Sequence, residues 1–293
     1  ALTQSYANIE IIVSDNASTD RTWDICQEIA KQDQRVVLVR NETNIGPVRN
    51  WIEGIKKASG EYCKILFSDD GLKPDCLEIM VPKLAPDDVG FVYCAAQIGA
   101  TSDTAARVEY QLPSSSRITP ATFTELLIAG KAPVSPGAVL LRTADIRKNL
   151  HTTFPTSVER PYARNGAGPD AMIMLLTSRD YPAIEHISTP LVFFRAHADS
   201  FTVSANTTSE VEKGYKAVIP YFLKLAYGRA VWLRYLSRTW RLERRRSPET
   251  PGMRDYLRQH EGQGSLGECL GMLAHMLIRP IRKRRLGGHF YMD

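Results

Sequence analysis

Between Asn8 and Ala95 the sequence alternates between two periods, and no other feature constrains its fold as strongly. Asn8 to Val13 is a short β-rich apolar run, and the Ser/Thr/Asp cluster from Ser14 to Asp20 is loop and helix-capping chemistry. A helical pattern follows from about Thr22 to Gln32, with Trp23, Ile25, Cys26 and Ile29 as its apolar stripe. Arg35 to Arg40 reads as a second strand, Asn41 to Gly46 as a polar loop, and Val48 to Ala58 as a helix closed by Ser59-Gly60. An apolar strand then leads into Asp69-Asp70, and a helix from about Asp75 to Leu84 and a strand at Gly90 to Ala95 continue the series. Strands alternating with helices of about ten residues predict an α/β fold, with a mostly parallel sheet covered by helices on both faces.

The stretch from Gly60 to Asp75 carries the densest chemistry. Two adjacent carboxylates, Asp69 and Asp70, stand at the end of an apolar run and are followed by Gly71 and Pro74. Neighbouring carboxylates repel unless a cation lies beside them. Mg2+ or Mn2+ can take one or two protein carboxylates and fill its shell with phosphate oxygens and water. Asp-Asp-Gly is equally good turn chemistry, so the stretch alone leaves both readings open. In sheets of this class ligands bind beyond the carboxyl ends of the strands. The Asp15 loop and the Asp69-Asp70 loop both fall on that edge, which favours a site.

Beyond residue 96 the pattern loosens. Residues 97–120 are polar and read as loop or weak edge strand; Thr119 to Ile128 reads as a helix with a Thr-Pro start. Ala138 to Arg142 is a short strand, Asp145 to Leu150 a helical turn, Asp170 to Arg179 a helix opening on a carboxylate, and Leu191 to Arg195 a strand. From Lys213 the pattern is helical, with aromatics among basic residues, and Arg279, Arg282, Lys283, Arg284 and Arg285 cluster near the end. The division expected is 1–208 for the α/β domain and 209–293 for a helical, basic region. The chain has 293 residues, 43% of them hydrophobic, which is ample for a real core. It contains no apolar run of the roughly eighteen residues a membrane span needs. Five cysteines without paired spacing argue against a disulfide framework and for a reducing, cytoplasmic setting. Ala1 runs almost at once into a strand, so further residues are expected upstream of it.

The ordered motifs resemble family 2 glycosyltransferases, which have the GT-A fold. The matching pieces are Asn8 to Asp20, Asn44-Ile45-Gly46 with Arg49-Asn50, Gly60-Glu61-Tyr62 leading to Ser68-Asp69-Asp70 and Pro74-Asp75, Gly168-Pro169-Asp170, and Arg195-Ala196-His197 through Thr202. The resemblance implies a Rossmann-like GT-A domain that moves a sugar from a nucleotide-sugar donor, UDP-linked by default, to a glycan or lipid-linked acceptor with inversion. It implies that Asp15 accepts a hydrogen bond from the base and that Arg49 lies near the nucleotide. By the same resemblance Asp69 binds the metal, Mn2+ or Mg2+, and Asp70 assists. His197 contacts metal or diphosphate, and Arg195 pairs with phosphate. Asp170 takes the place of the catalytic base. A carboxylate at a helix N-terminus is favoured as the anion. Each of these residues also has a plain structural alternative as a cap, a turn or a solvated side chain. The chain departs from the family where Phe67 stands in place of the first acid of the metal motif and Pro169 precedes Asp170 in place of a second acid.

The basic C-terminal region lies outside the resemblance. Aromatics interleaved with Arg suit an anionic membrane surface at the inner face, a subunit interface or packed helices, with nucleic acid the least favoured partner. Two rival functions stay open at this point. One is a nucleotidyltransferase that makes sugar nucleotides; the other is a non-catalytic sugar-nucleotide or glycan-binding module, for which Phe67 is the argument.

Overall fold

The computed structural model of the chain describes residues 1–101, 107–156, 162, 166–196, 205–260 and 262–277. Two units divide it: Ala1–Thr153 with Pro161–Glu212, and Phe154–Arg160 with Lys213–Asp293.

In the first unit β1 (Ile11–Asp15) and β2 (Val36–Arg40) pair in parallel, with Asp15 opposite Arg40, and α1 (Thr22–Gln32) connects them. Next come α2 (Pro47–Lys57), β3 (Tyr62–Cys63), β4 (Gly71–Leu72), α3 (Cys76–Leu84) and β5 (Val89–Gly99). They are followed by β6 (Arg107–Glu109), β7 (Ser116–Ile118) and α4 (Pro120–Ile128), whose Thr119 cap accepts the Thr122 N–H at 3.2 Å. A 3-10 turn (Pro136–Ala138), β8 (Val139–Arg142), α5 (Thr143–Asn149), α6 (Pro169–Ser178) and β9 (Ala183–Arg195) complete the described part of the unit apart from the start of α7 below.

A seven-stranded sheet runs β3-β8-β5-β9-β4, with β6 on β5 and β7 on β9. The alternation predicts a mostly parallel sheet, and the structure corrects this: among the described residues only β1–β2 and β5–β9 pair in parallel, and the other five pairs are antiparallel. The antiparallel partners are the two- to four-residue strands, which fill the flanks of the long β5–β9 pair without a crossover helix of their own. β5 is buried along its first eight residues because both of its faces are covered. Val92, Cys94 and Ala96 pack with Cys76, Met80 and Leu84 of α3. Phe91 and Tyr93 meet Phe123 of α4, with ring centroids 4.8 and 5.6 Å apart. The strand and helix bounds read from sequence shift at two places that matter. The run before Asp69 is a strand only at Tyr62–Cys63, and the strand ending at Arg195 begins at Ala183.

In the second unit the long helix α7 (Ala205–Arg246) is broken at Gly228, whose φ of 80° is the region a side chain disfavours. α8 (Met253–Gln259) and α9 (Leu266–Leu277) pack on it through Trp232, Leu233, Leu236, Tyr256, Leu257 and Met272. Two indoles each make one hydrogen bond to a distant carbonyl: Trp232 donates to that of His260 at 3.1 Å and Trp240 to that of Pro251 at 2.9 Å. Trp232 and Phe222 are therefore core residues and offer no stacking face to a nucleic acid base. All five cysteines are free thiols, and among the described residues no helix is long and apolar enough to cross a membrane.

Candidate active site

Helix α2 organises the site, through two neighbouring residues that look in different directions. Its N-terminus is set by Gly46, at φ 83°, followed by Pro47 in the first turn. Asn50 faces β1: it donates to the Ser14 carbonyl at 2.9 Å and accepts from the Ser14 hydroxyl and the Asn41 amide, both at 2.8 Å. One turn on, Gly54 lets the helix approach, since a Cβ there would lie 3.3 Å from that of Ser14. Asn16 extends the network by accepting the Ile45 N–H at 2.9 Å and donating to Asn44 at 2.8 Å. The Asn44 and Asn50 motifs thus lock the 41–46 loop to the end of β1, where Asp15 sits.

Asp15 is buried, and its carboxylate accepts from the Ser18 N–H and hydroxyl and pairs with Arg40 at 3.2 Å. Arg40 also lies over the Trp23 ring, 5.0 Å from its centroid. Arg49 stands exposed in the first turn of α2.

Trp51 points the other way. Its ring lies 5.6 Å from that of Phe67, tilted by 40°. A Cβ on Gly166 would come within 2.9 Å of Trp51, and Gly166 has φ 80°, so only glycine suits this position. The Phe67 carbonyl accepts the Asp70 N–H at 3.1 Å, and the Gly166 carbonyl accepts the Asp170 N–H at 3.2 Å. One indole therefore braces both the Asp69-Asp70 turn and the start of α6. This gives Phe67 a physical role at the position where the family carries an acid.

Asp69 is exposed and Asp70 half-buried. Asp70 accepts the Arg195 N–H at 3.2 Å, across the antiparallel edge where β4 meets the end of β9. Burial pushes its carboxyl up to about 6; the Arg195 N–H and the charge of Lys64 oppose this, and the charge of Asp69 adds to it. Lys64, a cation inside an apolar run, donates to the Gly137 and Val139 carbonyls at 2.8 and 3.4 Å. Regular strand pairing ends one residue before it, at Cys63. Gly137 lies under Phe194, which would be 2.9 Å from a Cβ there, and α6 packs on the same 3-10 turn.

Asp170 is buried at the start of α6, where its Oδ1 accepts the Gly168 and Ala171 N–H groups at 2.9 and 2.7 Å. The N-cap position itself is Gly168; these bonds from the first turn orient the carboxylate. Tyr110, at φ 61°, belongs to the same neighbourhood: burial pushes its hydroxyl up to about 12, with the charges of Glu109 and Asp170 adding to the shift. His197 lies outside the described residues.

Two adjacent carboxylates in a turn are hard oxygen donors that fit Mg2+ or Mn2+ shared with a phosphate-bearing ligand. The like charge and the desolvation of Asp70 are what such a cation relieves. Among the described residues no group of three or more His, Cys, Asp or Glu forms a complete protein cage. Nothing in the sequence pattern singles out Trp51 as a site residue. The signal for Lys64 was its charge in the middle of an apolar run.

The family described as glycosyl transferase family 2 matches residues 1–145. The putative glycosyltransferase EpsH of Bacillus subtilis is 29% identical over 203 residues, covering 67% of this chain and 55% of EpsH. In Escherichia coli, WfaP, named as a UDP-Glc:alpha-D-GlcNAc-diphosphoundecaprenol beta-1,3-glucosyltransferase, is 43% identical over 70 residues, covering 24% of this chain and 27% of WfaP. The chain thus spans about half the length of EpsH and a smaller part of WfaP. The crystal structure of S. aureus TarS 1-349 with UDP-GlcNAc aligns at a TM-score of 0.61 and 15% identity, covering 88% of this chain and 75% of that one. At that identity the likeness speaks to the fold, which is GT-A.

Proposed function

This chain belongs to glycosyl transferase family 2, and from that premise we propose that it transfers a sugar from a nucleotide-sugar donor to a glycan or lipid-linked hydroxyl, with inversion. The observation that carries this reading is the α2 brace. A single helix ties together the Asp15 loop, the Asp69-Asp70 turn and the start of the Asp170 helix.

In this reading Asp15 accepts an N–H of the donor base, its carboxylate held in place by Ser18 and Arg40. Arg49 and Arg195 contribute positive charge to the donor side, and a UDP-linked sugar is the first donor to test. Asp69, with Asp70 and His197, is the set assigned to Mn2+ or Mg2+, which when bound supplies charge stabilisation for a diphosphate leaving group. Asp170 takes the proton of the acceptor hydroxyl as general base, in an orientation held by the Gly168 and Ala171 N–H groups. Burial and the Trp51 packing fix the start of α6, so the base is held by rigid elements. The setting is cytoplasmic, at the inner face of a membrane.

The test is a thermal-shift series with UDP, UDP-GlcNAc and UDP-glucose, with and without Mn2+, because a ligand of the folded state raises apparent stability. It is followed by an assay for nucleoside diphosphate release in the parent and in Asp69→Asn. Metal-dependent stabilisation, with diphosphate release lost in the variant, supports the reading. Release of pyrophosphate would make the chain a nucleotidyltransferase. Donor binding with no turnover toward any acceptor would leave a binding module.

A further inference from the structure

α9 is apolar on two sides, and the described residues cover only one of them. Met272 is fully buried, Met276 and Cys269 pack against the core of the second unit, and Leu233 would lie 2.9 Å from a Cβ on Gly271. The helix start is fixed by a reciprocal cap. Ser265 Oγ accepts the Glu268 N–H at 3.2 Å, while Glu268 accepts the Gln263 and Ser265 N–H groups and pairs with Arg229 at 3.3 Å. These contacts set the rotation of the helix. The rotation turns Leu266, Leu270 and Leu273 outward, 69%, 55% and 44% exposed. Their spacing of four and three residues makes one continuous stripe.

The sequence then runs from this helix into Arg279, Arg282, Lys283, Arg284 and Arg285, with no acidic residue until Asp293. An outward leucine stripe joined to a run of cations matches two demands of an anionic bilayer at once, apolar insertion at the headgroup boundary and attraction to headgroup charge. A second copy of this chain meets only the first demand and brings more charge of the same sign. At 12 residues α9 is too short to span a bilayer and is suited to lie on one. We propose that the Leu266–Leu270–Leu273 face of α9 is a membrane-docking surface that seats in an anionic bilayer, its attraction reinforced by the basic run that follows it in the sequence. The proposal rests on the functional reading and deepens it by naming the kind of surface on which the chain would meet a lipid-linked acceptor.

The test is co-sedimentation of the full chain with vesicles of phosphatidylcholine alone and with about one-third phosphatidylserine. No donor or acceptor is present, so the result is independent of glycosyl transfer and of Asp170. The parent is expected to partition onto the anionic vesicles at least about tenfold more strongly than onto the neutral ones. Leu270→Ser with Leu273→Ser should lower that partition about tenfold. Arg282→Ser, Lys283→Ser, Arg284→Ser and Arg285→Ser together should lower it by at least as much. Unchanged melting temperatures show that the variants remain folded, as expected for exposed positions. Binding that survives the leucine substitutions overturns the proposal, even if the basic run alone holds the protein to the vesicles. Equal binding to neutral vesicles overturns it as well. So does a lipid-free dimer that dissociates in the leucine variant, since that would assign the face to a second copy.

Discussion

Helices α1 and α6 are of nearly equal length and each stands beside a carboxylate assigned to the site, yet they are held in opposite ways. α1, next to Asp15, buries none of its eleven residues; α6, which begins with Asp170, buries nine of its ten. The first covers a two-stranded sheet, while the second packs against β5, α5 and the 3-10 turn. Packing density is what gives a side chain one position. The region around Asp15, assigned to donor recognition, is therefore lightly packed and is fastened mainly by the polar contacts of Asp15 and, from α2, of Asn50. The element assigned to chemistry is set in the core.

The sharpest test of that contrast is at its dense end. Asp170→Asn keeps an acceptor for the Gly168 and Ala171 N–H groups but removes the base. Turnover should fall by about 10²–10⁴-fold with little change in melting temperature. A variant that loses stability instead would make Asp170 a cap and nothing more. Next in size, Ile173→Ala in the middle of α6 should cost about 2–5 kcal/mol in denaturant unfolding, because Ile173 is fully buried. A smaller effect is expected in the turn between the two regions. Asp70 has its folded value raised to about 6 from the ordinary 3.8, so the folded state holds its proton over a range where the unfolded chain releases it. Its contribution is present below pH 4 and lost as pH rises through 6. Parent melting temperature should therefore decline relative to Asp70→Asn across that window and run parallel to it above. A difference that stays flat from pH 4 to 7 would remove burial as the cause. The smallest effect belongs to α1. Ile25→Ala, at a residue 48% exposed, should change stability by no more than about 0.5 kcal/mol. A loss matching that of Ile173→Ala would erase the contrast.

Much of the scaffold was legible in the chain. The alternation to Ala95, the Thr119-Pro120 helix start and the helix opening at Asp170 are carried by local period and capping chemistry, which neighbouring residues express without help. The extension of β9 back to Ala183 was not, because His186 breaks the apolar pattern. It is buried there between the Tyr110 and Ser114 carbonyls, at 3.1 and 3.3 Å, contacts that do not exist until the strand is paired. Pairing direction was legible only in part for the same reason. The short strands β3 and β4 take their partners from residues more than seventy positions away.

By itself the sequence determined which residues carry charge at strand ends and helix starts, and so the set Asp15, Asp69, Asp70 and Asp170. Tertiary structure alone decided that Trp51 joins two of those stations, that Lys64 donates to the Gly137 carbonyl, and that Phe67 is a packing surface where an acid was expected. The physical reason is distance along the chain. Period and capping depend on residues within about four positions, whereas the face a ring finds depends on which distant backbone closes over it. Gly166 closes over Trp51 from 115 positions away, and only the fold brings them together.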